Sequence, residues 1–265
     1  KRLPDLKIEE VDTYTLFELN DLPIRLPDTR KSFTAFRQRA QDHPVPMPLS
    51  APLSLPASPV DARSSVWPTH MPEWAPLAAN DAGLFGGGET AAQIHLQHYL
   101  ASEWPAQYKT LRNALDGWPH STKLSPWLNR GCLSVRRTNM AVDAYITHHG
   151  SIDETGWIKV ELLWREYFQW LALELGTQLF RFKGLAGRAP LTCVHPERYQ
   201  KWCHGTTPFP LVNACMRQLK ETGYLSNRGR QIAASCFVNE LCLDWRYGAA
   251  WFEHQLIDYD VAVDW

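Results

Sequence analysis

The sequence predicts a mainly α-helical fold, on three observations: helical periodicity sustained from residue 87 onward, no strand-rich βαβ alternation, and a proline-rich opening segment. In that opening, Pro44, Pro46, Pro48, Pro52, Pro56 and Pro59 fall close together, and residues 1–85 read as a linker-like connecting segment. One short helix is expected there over 29–41, where Phe33, Phe36 and Ala40 recur at helical spacing. The glycines at 86–88 lack the GK[ST] of a phosphate loop and read as a helix-entry turn into 89–100, which carries Ala92, Ile94, Leu96, Tyr99 and Leu100. Further helices are expected over 134–148, 159–179, 213–222 and 230–243, and the second of these is apolar on most sides, as a central helix is. Residues 86–265 therefore read as one helical domain.

Composition excludes several classes. At 45% hydrophobic and 21% charged residues, the chain reads as a soluble globular protein. There is no apolar run long enough for a membrane span, and the stretch from Lys1 to Glu10 is too polar for a secretory signal, so a cytoplasmic protein is expected. Six scattered cysteines without a CxxC pair point to reduced thiols and to no metal site. A formal net charge of −1 argues against indiscriminate binding to phosphate backbones. Arg130, Arg136 and Arg137, and again Arg228, Arg230 and Arg246, are either local basic faces or ordinary surface charges. Twelve tryptophans serve either as packing or as stacking platforms and redox relays.

Three stretches could carry chemistry. Ser121-Thr122-Lys123-Leu124-Ser125-Pro126 sets hydroxyls and a lysine ahead of a Pro-initiated helix, which suits a pyrophosphate and equally suits a plain N-cap at Ser125. Glu161 and Arg165 stand four apart on the apolar helix, flanked by Trp164 and Phe168; charges in such a setting are paired or hold a ligand. The third stretch joins Asn227, Arg228 and Arg230, a helix ending in Leu243-Asp244-Trp245-Arg246, and then Asp258-Tyr259-Asp260, which could be structural ion pairs or a site.

Together these stretches resemble the photolyase/cryptochrome family, and in wording the DASH cryptochromes. The resemblance rests on STKLSPWLNRGCLS (121–134), ELLWREYFQW (161–170), LFRFKGL (179–185), GYLSNRGRQIAAS (223–235) and LDWRYGAAWFEHQLIDYDV (243–261), and covers nearly everything after residue 86. It implies the family's helical FAD-binding domain, preceded by a Pro-rich linker. It implies that Tyr108, Ser121, Thr122, Leu124 and Ser125 hold the FAD pyrophosphate and its surroundings, and that Glu161 and Arg165 face the cofactor. Arg230 and Asp258 would pair beside the isoalloxazine, with Asn227 and Asp260 nearby and Asp264 close to the ring. Trp164 and Glu161 would line the cavity that receives a flipped pyrimidine dimer, Arg228 would contact DNA, and Trp245 would belong to an electron relay, whereas Trp202 is expected to pack in the core. The implied reaction is light-driven splitting of a cyclobutane pyrimidine dimer by an electron lent from reduced FAD, with single-stranded DNA preferred; a photoreceptor without repair activity shares the same residues.

The sequence also departs from the family pattern. No match to the N-terminal α/β antenna domain is present, so no antenna chromophore is expected in this chain. It stops at Trp265, where relatives continue through a Gly-Asn-Trp-like segment, so the fragment is expected to be inactive and FAD retention to need that segment. Asp264 stands where the family carries Asn, and Thr192 where many relatives place an outer relay tryptophan.

Overall fold

The computed structural model describes residues 13–50, 53–54, 85–185 and 187–265. Most of residues 1–12 and 51–84 of the linker-like segment, with Pro52, Pro56 and Pro59 and the amino-terminal stretch from Lys1, therefore lies outside the described residues. Among the described residues the regular structure is helical, with a single isolated bridge between Cys193 and Leu243. The order is α1 (Phe33–Ala40), α2 (Gly88–Leu100), α3 (Tyr108–Leu111), α4 (Ser125–Asn129), α5 (Val135–His149) and α6 (Ile152–Leu175). There follow α7 (Pro196–Cys203), α8 (Pro210–Thr222), α9 (Asn227–Ser235), α10 (Trp245–Gln255) and α11 (Val261–Asp264).

Local chemistry sets the boundaries. Ser32 and Ser134 cap α1 and α5 through their hydroxyls, and left-handed glycines at 150 and 223 end α5 and α8. The helix expected over 29–41 is split, because Pro27 and Asp28 form a 3-10 turn (Leu26–Arg30) before the Ser32 cap. The central helix starts earlier than expected, at Ile152, and stops at Leu175, where Gly176 takes φ +50. The helix expected over 230–243 gives way to a π-helical turn (Cys236–Glu240). Leu243 to Arg246 is then no helix end: the Asp244 carboxylate accepts from the Arg246 amide and opens α10.

Two cores result. In the first, α6 presents Leu162, Leu163, Tyr167 and Trp170 to Leu16, Phe17, Phe36, Leu96 and Trp127. Its anchor is Glu166, fully buried, whose carboxylate accepts from the Leu16 amide (2.7 Å), the Phe17 amide (3.1 Å) and the Trp170 indole (2.7 Å). A buried carboxylate with three donors is satisfied, and it fixes the segment before α1 onto the helical body. Arg136 adds to this, its Nε donating to the Thr15 and Leu16 carbonyls. The second core gathers Met216, Leu219, Leu225, Phe237 and Phe252 around Trp202, which is fully buried and donates to the Ala233 carbonyl. Trp202 thus packs, as expected.

Candidate flavin and nucleotide site

Residues from both cores meet where α6, α9 and the 258–264 stretch converge. Arg230, one turn into α9, directs Nη2 at both Asp258 oxygens (2.7 and 2.8 Å), Nη1 at Asp264 Oδ1 (3.1 Å) and Nε at the Leu225 carbonyl (2.9 Å). The two carboxylates push the Arg230 pKa up against the opposing effect of burial. Burial holds the Asp264 pKa above the usual carboxylate value despite Arg230 beside it. Asp264 Oδ2 accepts from the Asp260 amide (2.9 Å), and Asp260 Oδ1 caps α11 through the Ala262 amide. Asp260 Oδ2 accepts from Gln169 on α6 (2.7 Å) and from the Tyr14 hydroxyl (2.8 Å). Tyr14 in turn lies under the Arg165 guanidinium at 4.0 Å and takes a hydrogen bond from it on its carbonyl (2.9 Å). An unbroken line therefore runs Arg165, Tyr14, Asp260, Asp264, Arg230, Asp258.

The second wall is the 121–125 stretch. Lys123 takes φ +55, is buried, and donates to the Ser121 hydroxyl (2.7 Å). Burial pushes its pKa down to about 8. Its Nζ lies 5.4 Å from the Tyr224 ring, and Arg230 lies 5.8 Å from the same ring, so Tyr224 joins the two walls. The Thr122 carbonyl faces His95, Leu124 is buried, and Ser125 is exposed. The N-cap that the sequence equally allowed at Ser125 is not formed: Leu124 is the cap residue of α4, and its side chain carries no hydrogen-bond acceptor.

Other expected residues fall differently. Glu161 and Arg165 do not pair; Glu161 takes the guanidinium of Arg112, the residue that follows α3, and Arg165 takes Tyr14. The sequence reading missed Arg112 and Tyr14, because each reaches α6 from a distant segment and neither carries a local pattern. Burial raises the Glu161 pKa, and Tyr108 is buried close by. Trp164 is stacked on Phe33 (3.5 Å, 11°) and on Phe168 (5.5 Å), so a base reaching its face has to displace a phenyl ring. Asn227 and Arg228 are exposed at the start of α9, with Arg228 donating to Gln231 and Asn113. Trp245 donates to the Phe182 carbonyl and meets Trp265 edge-on at 5.8 Å.

The donor set suits a dinucleotide such as FAD. Arg165 Nη2 and Arg112 Nε are buried with no hydrogen-bond partner, and Lys123 has no carboxylate at ion-pair distance among the described residues. A pocket beside Lys123, lined also by Asp116, Trp118, Tyr224 and Ser226, holds about 170 Å³. Among the described residues there is no metal-binding cluster, and no helix long and apolar enough to cross a membrane.

Residues 157–265 match the family model described as the FAD binding domain of DNA photolyase. The chain is 50% identical over 270 residues to a cryptochrome DASH of Idiomarina loihiensis, covering 100% of this chain and 58% of the relative. A Vibrio parahaemolyticus cryptochrome DASH is 46% identical, with 99% of this chain and 57% of the relative covered. Among solved structures, the Synechocystis cryptochrome superposes with a TM-score of 0.78 at 35% identity, over 96% of this chain and 53% of that one. The chain thus spans somewhat over half the length of the curated relatives it matches most fully. A shared helical fold, the matched domain and whole-chain likeness to DASH sequences agree: the chain is similar along its whole length to cryptochrome DASH proteins, and residues 157–265 match the FAD binding domain of DNA photolyase.

Proposed function

We propose that the chain is the flavin-holding helical part of a protein that uses blue or near-ultraviolet light to repair cyclobutane pyrimidine dimers in DNA, chiefly single-stranded DNA. The observation that carries this reading is the continuous line from Arg165 to Asp258, which gathers five residues assigned to the cofactor from three separate segments. Arg165, Arg230, Asp258, Asp260, Asp264 and Asn227 would hold the ring side; Tyr108, Ser121, Thr122, Leu124 and Ser125 would hold the diphosphate side. Reduced FAD, when bound and excited by light, supplies the electron that opens the dimer.

The remaining work belongs to the protein. Glu161, its orientation fixed by the Arg112 guanidinium and its pKa raised by burial, presents a carboxyl group to the polar edge of a pyrimidine. Trp164 offers a stacking face once Phe33 moves. Single-stranded substrate suits the site because extruding an unpaired lesion costs less than opening a duplex.

The test is flavin quantified after denaturation, followed by repair of ultraviolet-irradiated oligothymidylate under blue light, in the protein that carries this domain. Arg165→Ala should release the flavin, and stoichiometric flavin in that variant would refute its role. Glu161→Gln should lower repair with flavin content unchanged. Flavin binding without any dimer turnover in the parent protein would favour the alternative, a cryptochrome photoreceptor.

A further inference from the structure

A second cleft lies away from the residues assigned to the flavin. It holds about 820 Å³ and lies between the stretch after α1 and the facing sides of α5 and α6. At one corner stands Trp157, half-buried on α6 one turn before Glu161. Three cations crowd its ring: Arg112 at 4.5 Å, Arg37 at 5.5 Å and Lys109 at 5.8 Å. Arg112 is already committed to Glu161, whereas Arg37 and Lys109 have no ion pair among the described residues. Deeper in the same cleft, Arg136 keeps a buried Nη2 with no partner. The acids there are partly spoken for: Asp143 pairs with Lys159 at 2.6 Å, while Asp42 and Asp153 keep the cleft from being a general polyanion patch.

An indole beside unpaired cations, opening into a cleft of ligand size, has the two parts of a single-strand binding surface: a stacking platform and charges for the backbone. Trp157 also touches Arg112, which holds Glu161. We infer that this cleft is a track for single-stranded nucleic acid flanking the lesion, with Trp157 stacking a base and Arg37 and Lys109 meeting phosphates. The inference rests on the DNA-repair reading above and assigns that reading a surface outside the flavin site.

The experiment is fluorescence anisotropy of a labelled, undamaged oligothymidylate, titrated at several salt concentrations in the flavin-loaded parent protein. Trp157→Ala should weaken binding roughly tenfold, as removal of one stacked base does. The double variant Arg37→Gln/Lys109→Gln, which spares the indole, should lower the salt slope by about 1.4, or about 0.7 for each phosphate no longer neutralised. Parent-like affinity and slope in both variants, with dimer repair intact, would overturn the track and leave the repair reading standing. A parent that binds no oligothymidylate and repairs no dimer would overturn both. If thymidine monophosphate binds as tightly as the oligomer and depends equally on Trp157, the cleft is a small-molecule site and the track is wrong.

Discussion

The two walls of the proposed flavin site are finished to different degrees. On the ring side Arg230 uses all three nitrogens, two of them on carboxylates that are almost fully buried. On the diphosphate side Lys123 is just as enclosed but rests only on a hydroxyl and two aromatic rings, and burial has pushed its pKa down to about 8. A buried charge with its counter-charge in place is a scaffold, whereas one without is held at a cost until an anion arrives. The ring wall should therefore govern folding, and the diphosphate wall should govern the response to ligand.

Asp258→Ala strikes at the first half of that contrast. Removing one partner of a buried pair usually costs about 3–5 kcal/mol, because the remaining charge is left uncompensated. Arg230 keeps Asp264, so the expected loss sits at the lower end, about 3 kcal/mol, read from urea unfolding. A loss under about 1 kcal/mol would mean that Asp264 alone holds Arg230, and that the ring wall is no scaffold.

The walls should also answer pH in opposite senses. Lys123 titrates near 8 when folded and near 10.5 when unfolded, so between these values the unfolded chain binds the extra proton. Its contribution therefore makes stability rise with pH across that window. Buried thiols and tyrosines with raised pKa values, such as Cys203 at about 11, act in the opposite sense, so the quantity to measure is the difference between parent and Lys123→Met. That variant should be more stable than the parent near pH 7, with the gap closing as pH climbs past 10. Added inorganic pyrophosphate should stabilise the parent and leave the variant unmoved. The carboxylates show the reverse sign: Glu161, Glu166 and Asp264 have raised folded pKa values, so their contributions are lost as pH climbs above the ordinary carboxylate range. A variant as pH-dependent as its parent would remove the distinction between the walls.

Much of this was legible in the sequence where chemistry is local. The helices at 89–100, 134–148 and 213–222 were read within a few residues, since each has apolar periodicity with a clear stop or cap. The Arg230–Asp258 pair was placed by resemblance, and the structure brings it together. What escaped depends on distance along the chain. Glu161 and Arg165 look like an i,i+4 pair, but each finds a partner with better geometry in another segment. Helices α7 and α10 are short and went unread, and their cores form only when α8 and the π-helical turn pack against them. Glu166 looked like one more acid on a helix; its three donors come from fold and not from pattern.

The mildest substitution probes the join between the walls and the first core. Tyr14→Phe deletes a hydroxyl that lies 2.8 Å from Asp260 and 3.0 Å from Asn129, while the ring under Arg165 and the carbonyl that Arg165 uses both stay. Loss of one such hydrogen bond costs about 1 kcal/mol. Unfolding in urea should therefore shift modestly, but flavin release from the loaded protein should quicken, because Asp260 then depends on Gln169 alone among side chains. If release is unchanged while stability falls, Tyr14 serves only the packing of the segment before α1. If neither changes, the hydrogen bond from Gln169 and the α11 cap suffice to hold Asp260, and the line from Arg165 to Asp258 is two separate clusters that share a border.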